Sequence, residues 1–163
     1  MANQVTNVVL AGIGGQGVVK ASDIVAEVAF RSGLDVKKAE IHGMSQRGGS
    51  VSTDVRFGSQ VLSPMVPAGQ ADFLVIVEAT QIENNRGQLK SGGVLIEPSI
   101  IDVKQLRNAK ALNVALLGVL SIYLDFPPES WKEVLAALLP EHLRDVNEEA
   151  FDLGRGIGQT RIH

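Results

Sequence analysis

Asn7-Val8-Val9-Leu10-Ala11-Gly12-Ile13-Gly14-Gly15-Gln16-Gly17-Val18 is the stretch that decides the fold. A short apolar run fits a strand buried on both faces, and the glycines that end it make a turn. From Val18 onward the apolar residues Val18, Ala21, Val25, Val28 and Ala29 recur at helical spacing until Ser32-Gly33 supplies a C-terminal stop. Strand, glycine turn and helix in that order open an α/β domain. Residues 34–40 follow closely enough to be the returning parallel strand of a right-handed βαβ unit, and their polarity places them at an edge or an interface.

Beyond this unit lies a glycine-rich, polar stretch without hydrophobic period, residues 41–50, which reads as a loop displaying side chains. Val51 to Phe57 alternates apolar and polar residues, and Gly58-Ser59 separates it from residues 60–63, so a hairpin between these two segments is expected before Pro64 and Pro67. Residues 71–79 and 92–98 are buried-strand patterns, both expected beside the first strand. Leu112, Ala115, Leu116, Val119, Leu120 and Tyr123 share one helical face with Gly118 inside, where a small residue admits another backbone closely. Pro127-Pro128 leads a helix through Leu139, and residues 143–153 read as another before a glycine-rich end. These elements predict a single three-layer α/β domain over residues 1–163, with a mostly parallel, Rossmann-like sheet, a glycine-rich first strand-to-helix turn and a hairpin.

Composition removes several function classes. The 163 residues contain no cysteine, which excludes disulfides, thiolate chemistry and cysteine-ligated iron–sulfur clusters in this chain. A net charge of −3, one Trp and one Tyr give neither a basic field nor a stacking surface for nucleic acid. No run approaches the ~18 apolar residues of a membrane span, and residues 1–6 lack a secretory signal's basic region, so a cytoplasmic location is expected.

Two motifs carry chemistry. Gly12, Gly14 and Gly17 satisfy G-x-G-x-x-G in the right context, and with Gly15 and Gln16 they form a turn suited to a phosphate or other anion at a helix N-terminus. A dinucleotide site also needs a ribose-binding acid about 20 positions on, and Glu40 is the one candidate. The same glycines also serve a plain close turn. The loop brings His42, Ser45, Gln46 and Arg47 between glycines whose amides can meet a carboxylate or phosphate, with Arg47 the best anion or partner contact. His42 has no second ligand at metal spacing, and Ser45 lacks a nucleophile elbow, so neither a metal site nor a hydrolytic triad is expected. Glu78 ends a strand at the crevice where open sheets bind ligands, and capping a helix or facing solvent is its expected role.

Gly12-Ile13-Gly14-Gly15-Gln16-Gly17, Ala39-Glu40-Ile41-His42-Gly43-Met44-Ser45-Gln46-Arg47-Gly48-Gly49-Ser50, Leu62-Ser63-Pro64, residues 113–121 and residues 147–154 together resemble one family. It comprises the indolepyruvate ferredoxin oxidoreductase beta subunit and, more broadly, the gamma subunit of pyruvate and other 2-oxoacid:ferredoxin oxidoreductases. The resemblance implies a subunit, inactive alone, of a complex that oxidatively decarboxylates a 2-oxoacid to an acyl-CoA. It also implies thiamine diphosphate, iron–sulfur clusters and coenzyme A in the complex, none held by this chain, with ferredoxin as acceptor. The partners implied are the thiamine-binding and iron–sulfur subunits, and an isolated chain is open to forming a homodimer through its partner face. Residues 99–110 depart from the pattern, being about twenty residues shorter than the family's strand-containing link. A free-standing nucleotide-binding protein and a purely architectural subunit are the alternatives.

Overall fold

A computed structural model describes residues 4–43 and 49–162. Among the described residues, five strands form a mixed sheet: β1 (Val5–Ile13), β2 (Asp35–His42), β3 (Ser50–Gly58), β4 (Ala71–Ile76) and β5 (Leu89–Ile96), in the order β2-β3-β1-β4-β5. Only β3 runs against the others. It pairs antiparallel with both β1 and β2, whereas β4 pairs parallel with β1 and with β5.

Two expectations need correction, the partner of the hairpin and the neighbour of β5. The hairpin joins β2 to β3 through residues 43–49, and residues 60–63 add no strand. Consequently β2 returns parallel to β1 but is separated from it by β3, at the sheet edge its polarity required. Residues 92–96 lie beside β4, one strand removed from β1. The apolar run of β4 explains why: it is buried by neighbours on both sides, so it takes the inner place.

Helix α1 (Val18–Arg31) turns Val18, Ala21, Ile24, Val25 and Val28 onto the sheet. With α3 (Leu112–Ser121), α4 (Pro128–Leu138) and α5 (Arg144–Ile162), it covers the face carrying Val8, Leu10, Val55 and Val75. An aromatic series links strand to helices within this core: Phe57 to Phe126 at 5.7 Å, Phe126 to Trp131 at 6.3 Å and Trp131 to Phe151 at 5.8 Å between ring centroids. The opposite face, with Val9, Ala11, Leu74 and Ile76, has a thin cover: the single-turn α2 (Ile82–Asn85) and a strap, residues 59–70. Handedness accounts for the asymmetry. The β1–α1–β2 and β4–α2–β5 connections travel in opposite directions along the sheet, so a common right hand sends them to opposite faces.

The strap is fastened by polar side chains of that second face. Asp35 accepts from the Val61 amide at 2.8 Å, Arg56 donates to the Ser63 carbonyl at 2.9 Å, and buried Asp54 accepts from the Val66 amide at 2.9 Å. Burial pushes the Asp54 carboxyl above its ordinary value, against the opposing pull of the Val66 amide and Arg56.

The closest packing lies between α3 and α5. The sequence pattern ends α5 near Leu153, yet the helix continues through Gly154, Gly156 and Gly158 to Ile162. A methyl group on Gly154 would overlap the Ala115 carbonyl oxygen, and one on Gly118 would overlap the Phe151 carbonyl oxygen. The two backbones meet directly, which repays the low helix propensity of glycine. Residues 98–111 form a series of tight helical turns capped by Asp102 and Asn108, with no further strand after β5.

Gly154→Ala is expected to destabilise the chain by about 2 kcal/mol or more through overpacking. Gly156→Ala, whose added methyl meets nothing within 4 Å, stabilises it by about 0.5–1 kcal/mol. Urea denaturation of both variants checks the pair. Asp54→Asn keeps an acceptor for the Val66 amide and removes a charge that burial disfavours. A raised carboxyl pKa gives the wild type stability at low pH that is lost as pH rises through the folded-state value, so the variant gains relative to wild type as pH rises from the ordinary carboxylate range through that raised value. Denaturation midpoints across that range measure the trend.

Candidate functional site

The carboxyl ends of β1 and β4 meet where the chain reverses its direction of travel along the sheet. Open α/β sheets bind ligands at such a switch point. The glycine turn 12–17 occupies the β1 side of it, and Glu78 the β4 side.

The turn is tied down at nearly every position. Gln16 Oε1 accepts from the Ile13 amide at 2.9 Å, and the Gln16 amide donates to the Ile13 carbonyl at 3.3 Å. Gln16 Nε2 donates to Glu78 Oε1 at 3.1 Å. Gly17, with φ of 75°, is the residue before α1; its carbonyl accepts from Asn113 Nδ2 at 3.2 Å and from the Ala21 amide at 2.9 Å. A side chain at Gly17 would place its Cβ 2.5 Å from Asn113 Nδ2, so glycine is required for both conformation and space. Gly14 and Gly15 remain exposed on the outer side of the turn.

The link between β2 and β3 leaves from and returns to the same end of the sheet. Its two roots are joined by the Gly43 amide donating to the Ser50 carbonyl at 2.6 Å, and the Gly14 amide donates to the Gly49 carbonyl at 2.9 Å. The turn and the loop roots are therefore one hydrogen-bonded unit. His42 is exposed at the end of β2, with Nε2 3.5 Å from Glu40 Oε2. Ser45, Gln46 and Arg47 lie outside the described residues.

Glu40 does not reach the turn. It lies two strands away on edge strand β2, beside Lys38 at 3.4 Å and His42. The insertion of β3 displaces the acid-bearing strand from the position it holds in a dinucleotide site. Glu78 takes the capping role expected of it, accepting from the Thr80 amide at 3.4 Å, and adds the contact to Gln16. Asn113 is the contributor that sequence reasoning missed. It falls within a helical pattern of core residues, and its reach across 96 positions to the Gly17 carbonyl has no local signal.

At the opposite edge of the sheet an open groove of about 1140 Å³ is lined by Val5, Phe73, Lys90, Tyr123, Asp125 and Phe126 among others. Its Lys90 is paired with Asp72 at 2.5 Å. Among the described residues no helix is long and apolar enough to cross a membrane, and no group of three or more His, Asp or Glu could hold a metal ion.

A mixed α/β sheet with a glycine turn and the roots of a β-hairpin at its switch-point edge defines a Rossmann-like domain. The chain belongs to the pyruvate ferredoxin/flavodoxin oxidoreductase family, whose pattern matches residues 7–157. It is 32% identical to the indolepyruvate oxidoreductase subunit IorB of Pyrococcus horikoshii over an alignment of 188 residues, covering 91% of this chain and 93% of that protein. The alignment is longer than this chain's 163 residues, so the relative carries residues that this chain lacks. In fold it is similar to the gamma subunit of a keto/oxoacid ferredoxin oxidoreductase from Geobacter sulfurreducens, with a TM-score of 0.80 at 22% identity over 95% of this chain and 99% of that one. It is also similar to the 2-oxoglutarate:ferredoxin oxidoreductase of Magnetococcus marinus, with a TM-score of 0.85 at 21% identity, where it covers 98% of this chain and 32% of that longer one. These relatives are subunits or parts of oxidoreductases acting on 2-oxoacids.

Gly17→Ala is expected to cost about 2 kcal/mol or more, combining left-handed backbone strain with collision against Asn113. Gly15→Ala shares the strain, at φ of 89°, but meets no neighbour, so its cost stays at about 1–2 kcal/mol. Thermal denaturation of the two variants separates the contributions.

Proposed function

We propose that this chain is a non-autonomous subunit of a 2-oxoacid:ferredoxin oxidoreductase complex, which completes the active-site face of partner subunits with the carboxyl edge of its sheet. The reaction converts a 2-oxoacid such as indolepyruvate or pyruvate, with coenzyme A, to an acyl-CoA and carbon dioxide, and passes two electrons to ferredoxin. The observation that carries the reading is that the 12–17 turn is bonded to one root of the 43–49 loop, which is bonded in turn to the other root, on one sheet edge. Family membership supplies the reaction class.

The division of labour follows from the residues present. With no cysteine, the chain cannot ligate iron–sulfur clusters through thiolates, so these belong to other subunits. Thiamine diphosphate stabilises a carbanion when bound and needs a dry, ordered cavity, which a neighbouring surface helps to enclose. His42, Ser45, Gln46 and Arg47 are the side chains proposed for that surface. Arg47 and Gln46 are assigned to a partner subunit or to an anion such as coenzyme A, and the exposed Gly14–Gly15 side of the turn is a second anion contact. Apolar side chains on the thinly covered face also favour a partner: Leu62 is 84% exposed and Met65 53% exposed in the strap, and Ile41 is exposed on β2.

Affinity purification from the native cell is expected to recover subunits carrying thiamine diphosphate and iron, with 2-oxoacid-dependent reduction of ferredoxin or a dye. A solitary, inactive chain under gentle lysis overturns the reading. In the assembled complex, Arg47→Ala is expected to raise the KM for coenzyme A about tenfold, the scale of one charge-assisted hydrogen bond. Unchanged kinetics in an intact complex favour a purely architectural subunit.

A further inference from the structure

Gln16 is the one residue of the glycine turn with a polar side chain, and both ends of its amide are engaged inside the protein. Oε1 closes the turn onto β1 through the Ile13 amide, while Nε2 spans the switch-point crevice to Glu78 at the end of β4. Gly12 makes room for this side chain, since a Cβ there would lie 2.8 Å from Gln16 Oε1. The glycine that makes the tight turn of a nucleotide site here also leaves space for a glutamine side chain.

The hydrogen bonds form a continuous series. From Thr80 they run through Glu78 to Gln16 and Ile13, and the neighbouring Gly14 amide holds the Gly49 carbonyl. Ile13 pairs with Ser50 in the β1–β3 ladder, and Ser50 in turn accepts from the Gly43 amide. We propose that the Gln16–Glu78 bridge is a positioning device, which closes the switch-point crevice against a ligand and fixes both roots of the 43–49 loop at the edge presented to the partner. The second half of this inference rests on the reading of that edge given above.

With a carboxylate at position 78, an amide suits position 16, because its oxygen accepts from the Ile13 amide while its nitrogen donates to Glu78. A carboxylate there would face Glu78 at about 3 Å, an arrangement in which both cannot stay ionised. Exchanging the two groups restores the pattern. The carboxylate now at position 16 accepts from the Ile13 amide, and the amide now at position 78 donates to that carboxylate while its oxygen serves Thr80.

The test compares Gln16→Glu, Glu78→Gln and the Q16E/E78Q double variant in the assembled complex. Hydrogen–deuterium exchange is read in peptides spanning residues 9–17 and 49–52, and turnover is read with 2-oxoacid. Q16E is expected to speed exchange about five- to tenfold, the scale of one net hydrogen bond, and to lower kcat. E78Q, in which two amides still pair, stays near wild type, and the double variant recovers both exchange and turnover. Should Q16E fail to assemble, Glu78→Ala removes the span without adding a charge and is expected to speed exchange in the same peptides. Unchanged exchange in Q16E and E78A, or a double variant that restores nothing, overturns the bridge. Protection that is lost and then restored while turnover stays constant leaves the bridge standing and overturns the reading of this edge as the functional one.

Discussion

The direct backbone contact of α3 with α5 is the constraint on which the rest of the helical layer depends. Gly118 and Gly154 leave no side chain between the two helices, and Gly158 extends the contact, with a Cβ there falling 2.7 Å from Ile122. This close approach lets α3, whose residues from Asn113 to Ser121 are all buried, sit between the sheet and α5 without polar groups left facing a gap. Asn113 in the first turn of α3 then reaches the Gly17 carbonyl, so a helix crossing deep in the core fixes the turn at the sheet edge.

A switch point is ordinarily an opening between two strand ends, and this protein fills it with its own side chains. Gln16 and Glu78 connect the β1 and β4 ends, Asn113 closes the turn from behind, and β3 separates Glu40 from the place of a ribose-binding acid. The glycine turn keeps the strand-turn-helix geometry of a nucleotide fold while its one polar side chain is bonded within the protein. The outer side of the turn and the loop roots stay at the surface, as suits a chain whose chemistry is shared with other subunits.

The two faces of the sheet divide stability and contact. Helices cover one face with a continuous apolar core, and the aromatic series from Phe57 to Phe151 lies within it. The other face is covered by a strap held through Asp35, Asp54 and Arg56, and burial of Asp54 makes that fastening sensitive to protonation. Within the strap Val61 and Val66 turn inward, while Leu62 and Met65 stay exposed.

By itself the sequence determined the opening strand, glycine turn and α1, because an apolar run, glycines and a 3.6-residue period are local signals that no partner needs to complete. It likewise determined the polarity of β2 that consigns it to an edge, the capping by Glu78 and the absence of thiolate chemistry. Tertiary structure alone decided that β3 inserts between β1 and β2, since alternation along residues 51–57 is the same whichever strand they pair with. It alone decided that α5 runs through three glycines, whose weak local propensity is outweighed by close packing on α3. The contacts of Asn113 with Gly17 and of Gln16 with Glu78 span 96 and 62 positions, and hydrogen bonds of that reach exist only once the core has brought their ends together.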